Sequence, residues 1–198
     1  MEKKKIVLAS GNAHKIKEIS DMLPDYEVFG YKQLGLDFEI EENGKTFYEN
    51  SLIKAKAVSD ALNLPALADD SGICVEALGG QPGIYSARYA GDGIDEHNNE
   101  LLLKNMLDKD NRKAKFVCCM VVYFPNGDIL TATGETHGKI LDKCYGENGF
   151  GYDPLFYSDD LSISLGLASA EEKNKISHRF RALEQIKIKL NEYEKGKL

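Results

Sequence analysis

Apolar and polar residues run along this chain in two rhythms, and the change from one to the other marks its elements. Residues 4–9 form a short apolar run that predicts a buried strand. Over residues 15–23 the apolar positions return every three or four, at Ile16, Ile19 and Leu23, which predicts a one-faced helix stopped by Pro24. Residues 27–31 read as a second strand. A helix over 46–62 carries an apolar stripe of Phe47, Val58, Ala61 and Leu62. The stretch "LPALADDSGICVEAL" predicts a strand into Ala68, a polar break, and a second strand. In "KFVCCMVVYFPNGDILTATGETHGKI" two long strand patterns flank Asn126-Gly127, a two-residue hairpin signal. Ser169 with Glu172 makes a capping box, and Phe180, Leu183, Ile186, Leu190 and Tyr193 form the face of a last helix. Helices alternate with strands early and long antiparallel strands come later. The class is α/β, a single domain over residues 1–198 made of two lobes, with a cleft between them and no linker.

Composition changes this picture only at its edges. The formal charge of −7, from 25 basic and 32 acidic side chains, disfavours non-specific binding to a nucleic-acid backbone. It leaves room for a small anion in a local basic pocket. No stretch approaches the roughly 20 apolar residues of a membrane span, and the run after "MEKKK" is too short for a signal peptide. Cys74, Cys118, Cys119 and Cys144 contain no C-x-x-C pair. The expectation is free thiols in a cytoplasmic protein.

Five polar stretches carry candidate chemistry. "SGNAHKIKE", beginning at Ser10, takes a strand into a helix through small residues. Backbone N–H groups at a helix start form an anion site, and Lys15 opposes the helix dipole unless an anion compensates it. The spacing is not that of a Walker loop. In "EIEENGKTFYEN", Glu39 and Glu41 share one face of an extended segment and Glu42 takes the other; alone, such a run is usually a solvated edge. Lys54 falls within the apolar stripe of the following helix, with Asn50 one turn earlier. It either snorkels or stands as a fixed cation. "LADDSG" places Asp69 and Asp70 at the expected C-terminal end of a strand, where hard oxygen ligands suit Mg²⁺. "GENGFGYDPLF" sets glycines beside Phe150 and Tyr152, so a flat ligand could approach backbone and ring. "EEKNKISHRFRA" offers Lys173, His178 and Arg179 at the start of the final helix. Together these stretches describe a site for a polyphosphate, a metal and a flat base.

The blocks "SGNAHKIKE", "EENGKTFYENSLIKA", "LADDSGICVEALGGQPGIYSARYAG", "GFGYDP" and "EEKNKISHRFRAL" together resemble the inosine triphosphate pyrophosphatase family, in family order and over nearly the whole chain. Small departures stand at His14, Ser51 and Leu167. The resemblance implies an elongated mixed α/β fold, with a central mixed sheet, flanking helices and a cleft, and a homodimer. It implies hydrolysis of non-standard purine nucleoside triphosphates (ITP, dITP, XTP) to the monophosphate and pyrophosphate. It further implies that Ser10, Gly11, Asn12, Ala13, His14 and Lys15 hold phosphates, and that Glu41 and Asp70 bind Mg²⁺. Asp70 corresponds to the proton acceptor, and Lys54 and Ser71 touch substrate. Phe150, Gly151, Tyr152, Asp153, Lys173, His178 and Arg179 embrace the nucleotide, the last two near the base. Two rivals differ in kind: a Maf-type pyrophosphatase acting on other nucleotides, which the "SHR" block disfavours, and a non-catalytic nucleotide-binding module.

Overall fold

A computed structural model describes residues 3–10 and 13–196, with backbone alone at residues 13–15 and 18. Strand β1 (Lys4–Leu8) leads through helix α1 (Ala13–Met22) to β2 (Tyr26–Gly30), and helix α2 (Phe47–Leu62) leads to β3 (Ala66–Val75). Helix α3 (Asp95–Asn105) precedes the long strands β4 (Lys113–Tyr123) and β5 (Ile129–Ile140). Short strands β6 (Phe156–Ser158) and β7 (Ile163–Ser164) follow, then helices α4 (Ala170–Ile176) and α5 (His178–Glu194). One seven-stranded mixed sheet runs in the order β2-β1-β3-β4-β5-β6-β7. β1 is parallel to both β2 and β3, whereas β5, β6 and β7 pair antiparallel. Each parallel step is covered by a helix, as a crossover requires.

The chain groups into two compact units. The first comprises residues 1–70, 119–133 and 182–198, the second residues 71–118 and 134–181. In the first, Val7, Tyr31, Val58 and Ala66 form one apolar cluster, and Ala55, Ala68 and Val121 another. Ile19 and Leu23 of the α1 segment are also buried, as their spacing requires. In the second unit Ile73, Leu102, Phe116, Tyr152, Leu155 and Phe156 share a core. Among the described residues no helix is long and apolar enough to cross a membrane. The cysteines are free thiols, with Cys118 and Cys119 buried.

Four sequence expectations are corrected. β3 is unbroken through Asp69-Asp70-Ser71, so both aspartates lie mid-strand and not at its end. The break is instead in its neighbour. β1 stops pairing at Leu8 opposite Leu67, so Asp70 lies beyond the C-terminal end of β1. The β4–β5 turn is not the two-residue type. Phe124 N–H bonds Asp128 C=O, and Gly127 N–H bonds Phe124 C=O, around three residues. Pro125 disfavours the two-residue turn, because it has no N–H to pair with the Asp128 carbonyl across it, and Phe124 N–H takes that acceptor; Gly127, at φ +91°, takes the left-handed position.

The face that α2 buries is also different. It is Asn50, Ser51, Ala55, Val58 and Ser59, with Ala61 exposed. Small residues let this helix approach the sheet, and the Ser51 hydroxyl donates to the Cys119 carbonyl at 2.8 Å. Finally, the last helix is two. Ser177 adopts φ −65° and ψ 147°, so Lys173 belongs to α4, whereas His178 and Arg179 open α5. The Ser169–Glu172 capping box stands at the start of α4 as read.

Candidate active site

In the first unit the chemistry gathers where α2, the segment before it and β3 meet. Thr46 caps α2, its hydroxyl accepting from Glu49 N–H at 3.1 Å, which fixes the phase of the helix. That phase aims Lys54 at two carboxylates. Its Nζ lies 3.1 Å from Glu42 Oε1 and 4.0 Å from Asp70 Oδ1. The Lys54 and Asp70 side chains are only 13% and 12% exposed, so screening by water is weak. Lys54 is therefore a fixed cation and not a snorkelling stem. Asp70 Oδ2 accepts from Asn50 Nδ2 at 3.0 Å. Glu41, the expected metal ligand, is exposed, while Glu42 beside it makes the ion pair with Lys54. Alternation along β3 sends Asp69 and Asp70 to opposite faces, so the two carboxylates do not act as a pair; Asp69 is buried and Ser71 shares its face.

In the second unit the turn 149–153 is held from several sides. The Asp153 carboxylate is buried, accepts from Phe150 N–H at 2.8 Å and pairs with Lys173 Nζ. Gly149 at φ +79° leaves room for it, since a Cβ there would stand 2.0 Å from Asp153 Oδ2. Gly151 donates its N–H to Asp95 Oδ2 at 2.6 Å, and its carbonyl accepts from Asn99 Nδ2 at 3.0 Å. The Phe150 ring is 64% exposed, with Lys173 Nζ 4.2 Å from its centroid, a cation–π contact. Tyr152 points the other way. It is a core residue whose hydroxyl donates to the Ser86 carbonyl at 2.8 Å, and burial pushes its phenol pKa up. The His178 ring lies flat on Phe116, centroids 5.1 Å apart at 13°, and Arg179 beside it is half-buried. Ser177 caps α5, accepting from Phe180 N–H at 3.1 Å, and so sets where both side chains stand.

Of the phosphate segment, Ser10 is half-buried after β1 and the helix begins at Ala13. Gly11 and Asn12 lie outside the described residues, as do the side chains of Ala13, His14 and Lys15. Sequence reasoning gives Asn50 no role beyond its place one turn before Lys54, and passes over Asp95 and Asn99. For Asn50 the available signal was an amide four residues before Lys54, on the same helix face as the lysine. For Asp95 and Asn99 it was their spacing of four on one helix face.

A profile of the Ham1 family matches residues 6–189. This chain belongs to the Ham1 family. A dITP/XTP pyrophosphatase of Campylobacter jejuni is 46% identical over 200 residues, covering 97% of this chain and 100% of that one. Among solved structures, the Staphylococcus aureus Ham1 protein superposes with a TM-score of 0.91 at 45% identity, covering 95% of this chain and 98% of that one. A HAM1 protein from Coxiella burnetii gives 0.91 at 38% identity, with 96% and 99% covered. The Ham1 fold thus extends across the chain, and the mixed α/β class read from its sequence is the class of these structures.

Proposed function

We propose that this chain hydrolyses non-standard purine nucleoside triphosphates, ITP, dITP and XTP, to the nucleoside monophosphate and pyrophosphate. The observation that carries this reading is end-to-end identity of 46% with relatives named dITP/XTP pyrophosphatase. The half-buried Lys54–Asp70 arrangement supports it from the chemical side. Hydrolysis at a phosphorus is mainly positioning and charge stabilisation. Asp70 takes the proton of the attacking water on a carboxylate oxygen, and Lys54 offsets charge on the triphosphate. The donors of His178 and Arg179 suit a 6-oxo purine and leave a 6-amino purine mismatched, and a buried mismatch is costly.

Carboxylate oxygens of Asp70 and Glu41 are the hard donors that Mg²⁺ takes. Among the described residues no three acidic, histidine or cysteine side chains gather. The ion would therefore rest on one or two carboxylates and complete its shell from substrate and water. When bound, it neutralises phosphate charge and lowers the pKa of water. The same reading carries a cytoplasmic homodimer, checked by light scattering.

The test is pyrophosphate release with magnesium from ITP, dITP, XTP, GTP and ATP. The first three are expected to turn over far faster than the last two. Equal rates on all five, or release of single phosphates only, would overturn the reading.

A further inference from the structure

Asn50 is an amide where a helix buried against a sheet should carry an apolar side chain. It is 1% exposed, and an unpaired amide at such a site is expensive. Both of its ends are paired. Oδ1 accepts from Gly44 N–H at 2.9 Å, and Nδ2 donates to Asp70 Oδ2 at 3.0 Å. Chemistry alone assigns this orientation, since a backbone N–H must meet oxygen and a carboxylate must meet NH₂. Gly44 is shaped to the contact: a Cβ there would stand 2.7 Å from Asn50 Oδ1 and 2.9 Å from Asn50 N. Asn50 itself is fixed in the first turn of α2, its N–H bonded to Thr46 C=O. One side chain thus ties the loop after Glu41-Glu42, helix α2 and strand β3 together at the carboxylate.

We infer that Asn50 is a positioning residue for the reaction. Its amide sets the rotation of the Asp70 carboxylate, a torsion that is otherwise broad and two-fold, so that Oδ1 turns toward Lys54. A neutral donor does this without changing the charge that Lys54 and Glu42 already balance. A lysine here would add a cation, and an aspartate would set two like charges about 3 Å apart. The same amide couples the Glu41-Glu42 loop to Asp70 through Gly44. The inference rests on the reading of Asp70 as the proton acceptor.

Two substitutions separate the two hydrogen bonds. Asn50→Leu removes both; Asn50→Asp keeps an oxygen for Gly44 N–H and puts a like charge in place of the donor to Asp70. Steady-state pyrophosphate release from ITP should show kcat down about 100-fold in both, the scale of a misplaced reacting group, with KM within a few-fold. If Asn50 only holds the Gly44 turn, Asn50→Asp recovers activity relative to Asn50→Leu; a kcat within threefold of the parent overturns the proposal. A cycle with Asp70→Asn supplies the reading that fold damage does not mimic. A residue acting through Asp70 costs little more once Asp70 is replaced, whereas independent structural damage adds in full. Should both Asn50 variants fail to fold, Gly44→Ala displaces the amide with every polar group present, and a normal kcat there also overturns it. Asp70→Asn at parental rate would instead sink the reading of Asp70, and slow Asp70→Asn beside fast Asn50→Asp sinks this inference alone.

Discussion

Two lysine–aspartate pairs in this molecule look alike in sequence and are built for different work. Lys173 and Asp153 are in close contact, 14% and 3% exposed, and Asp153 also accepts from Phe150 N–H. Every strong partner of that carboxylate belongs to the turn or to α4, so it fixes backbone. Lys54 and Asp70 stand 4.0 Å apart, with the lysine nearer to Glu42 at 3.1 Å. That cation is shared between two carboxylates, and under the proposed function a phosphate arriving beside it would compete with them for its charge. Under the proposed function the tight pair makes structure and the loose one serves chemistry.

Four substitutions press on this difference. The largest effect is expected at the tight pair. Lys173→Met leaves a buried, uncompensated carboxylate, and removing one partner of such a pair costs about 3–5 kcal/mol. Urea unfolding should register that loss, and unchanged stability would erase the distinction. At the loose pair the loss should fall on ligand binding. Lys54→Met should weaken triphosphate binding by roughly 10- to 150-fold, since a charge-assisted bond contributes about 1.5–3 kcal/mol. Calorimetry with ITP and with inosine decides it: equal loss for both ligands would make Lys54 structural.

Smaller still is Gly149→Ala, where positive φ and the approach of Asp153 combine. A destabilisation of about 1–3 kcal/mol is expected, read as a lower melting temperature with the ITP-to-ATP preference retained. Thr46→Ala removes only the cap that phases Lys54. It should cost about 1 kcal/mol and lower kcat less than it lowers stability; a tenfold fall in kcat would show that the phase of α2 matters more than the pair distances imply.

The sequence carried the α/β class because spacing is local: Ile16, Ile19 and Leu23 report a helix face wherever they are met. It carried Lys54 for the same reason, as an angle on a helix. It misread β3, because Asp69-Asp70-Ser71 has the composition of a turn, and only its place beside β4 in the sheet keeps it extended past the end of β1. It also missed what Asn50 does, since that depends on Gly44 and on Asp70, twenty positions away. For Asp153 the resemblance implies a nucleotide contact, and the structure adds partners within the turn and α4, Phe150 N–H and Lys173. Nothing in "GFGYDP" separates a residue that touches substrate from one that holds the turn in shape.

The contrast rests on Asp70 being chemical where Asp153 is structural, and Asp70→Asn measures that directly. Pyrophosphate release from ITP should fall by 10²–10⁴-fold or more, the usual cost of losing a general base, while the melting temperature stays within a few degrees of the parent. Release near the parental rate from a folded variant would contradict the account, because the proton would then have another acceptor.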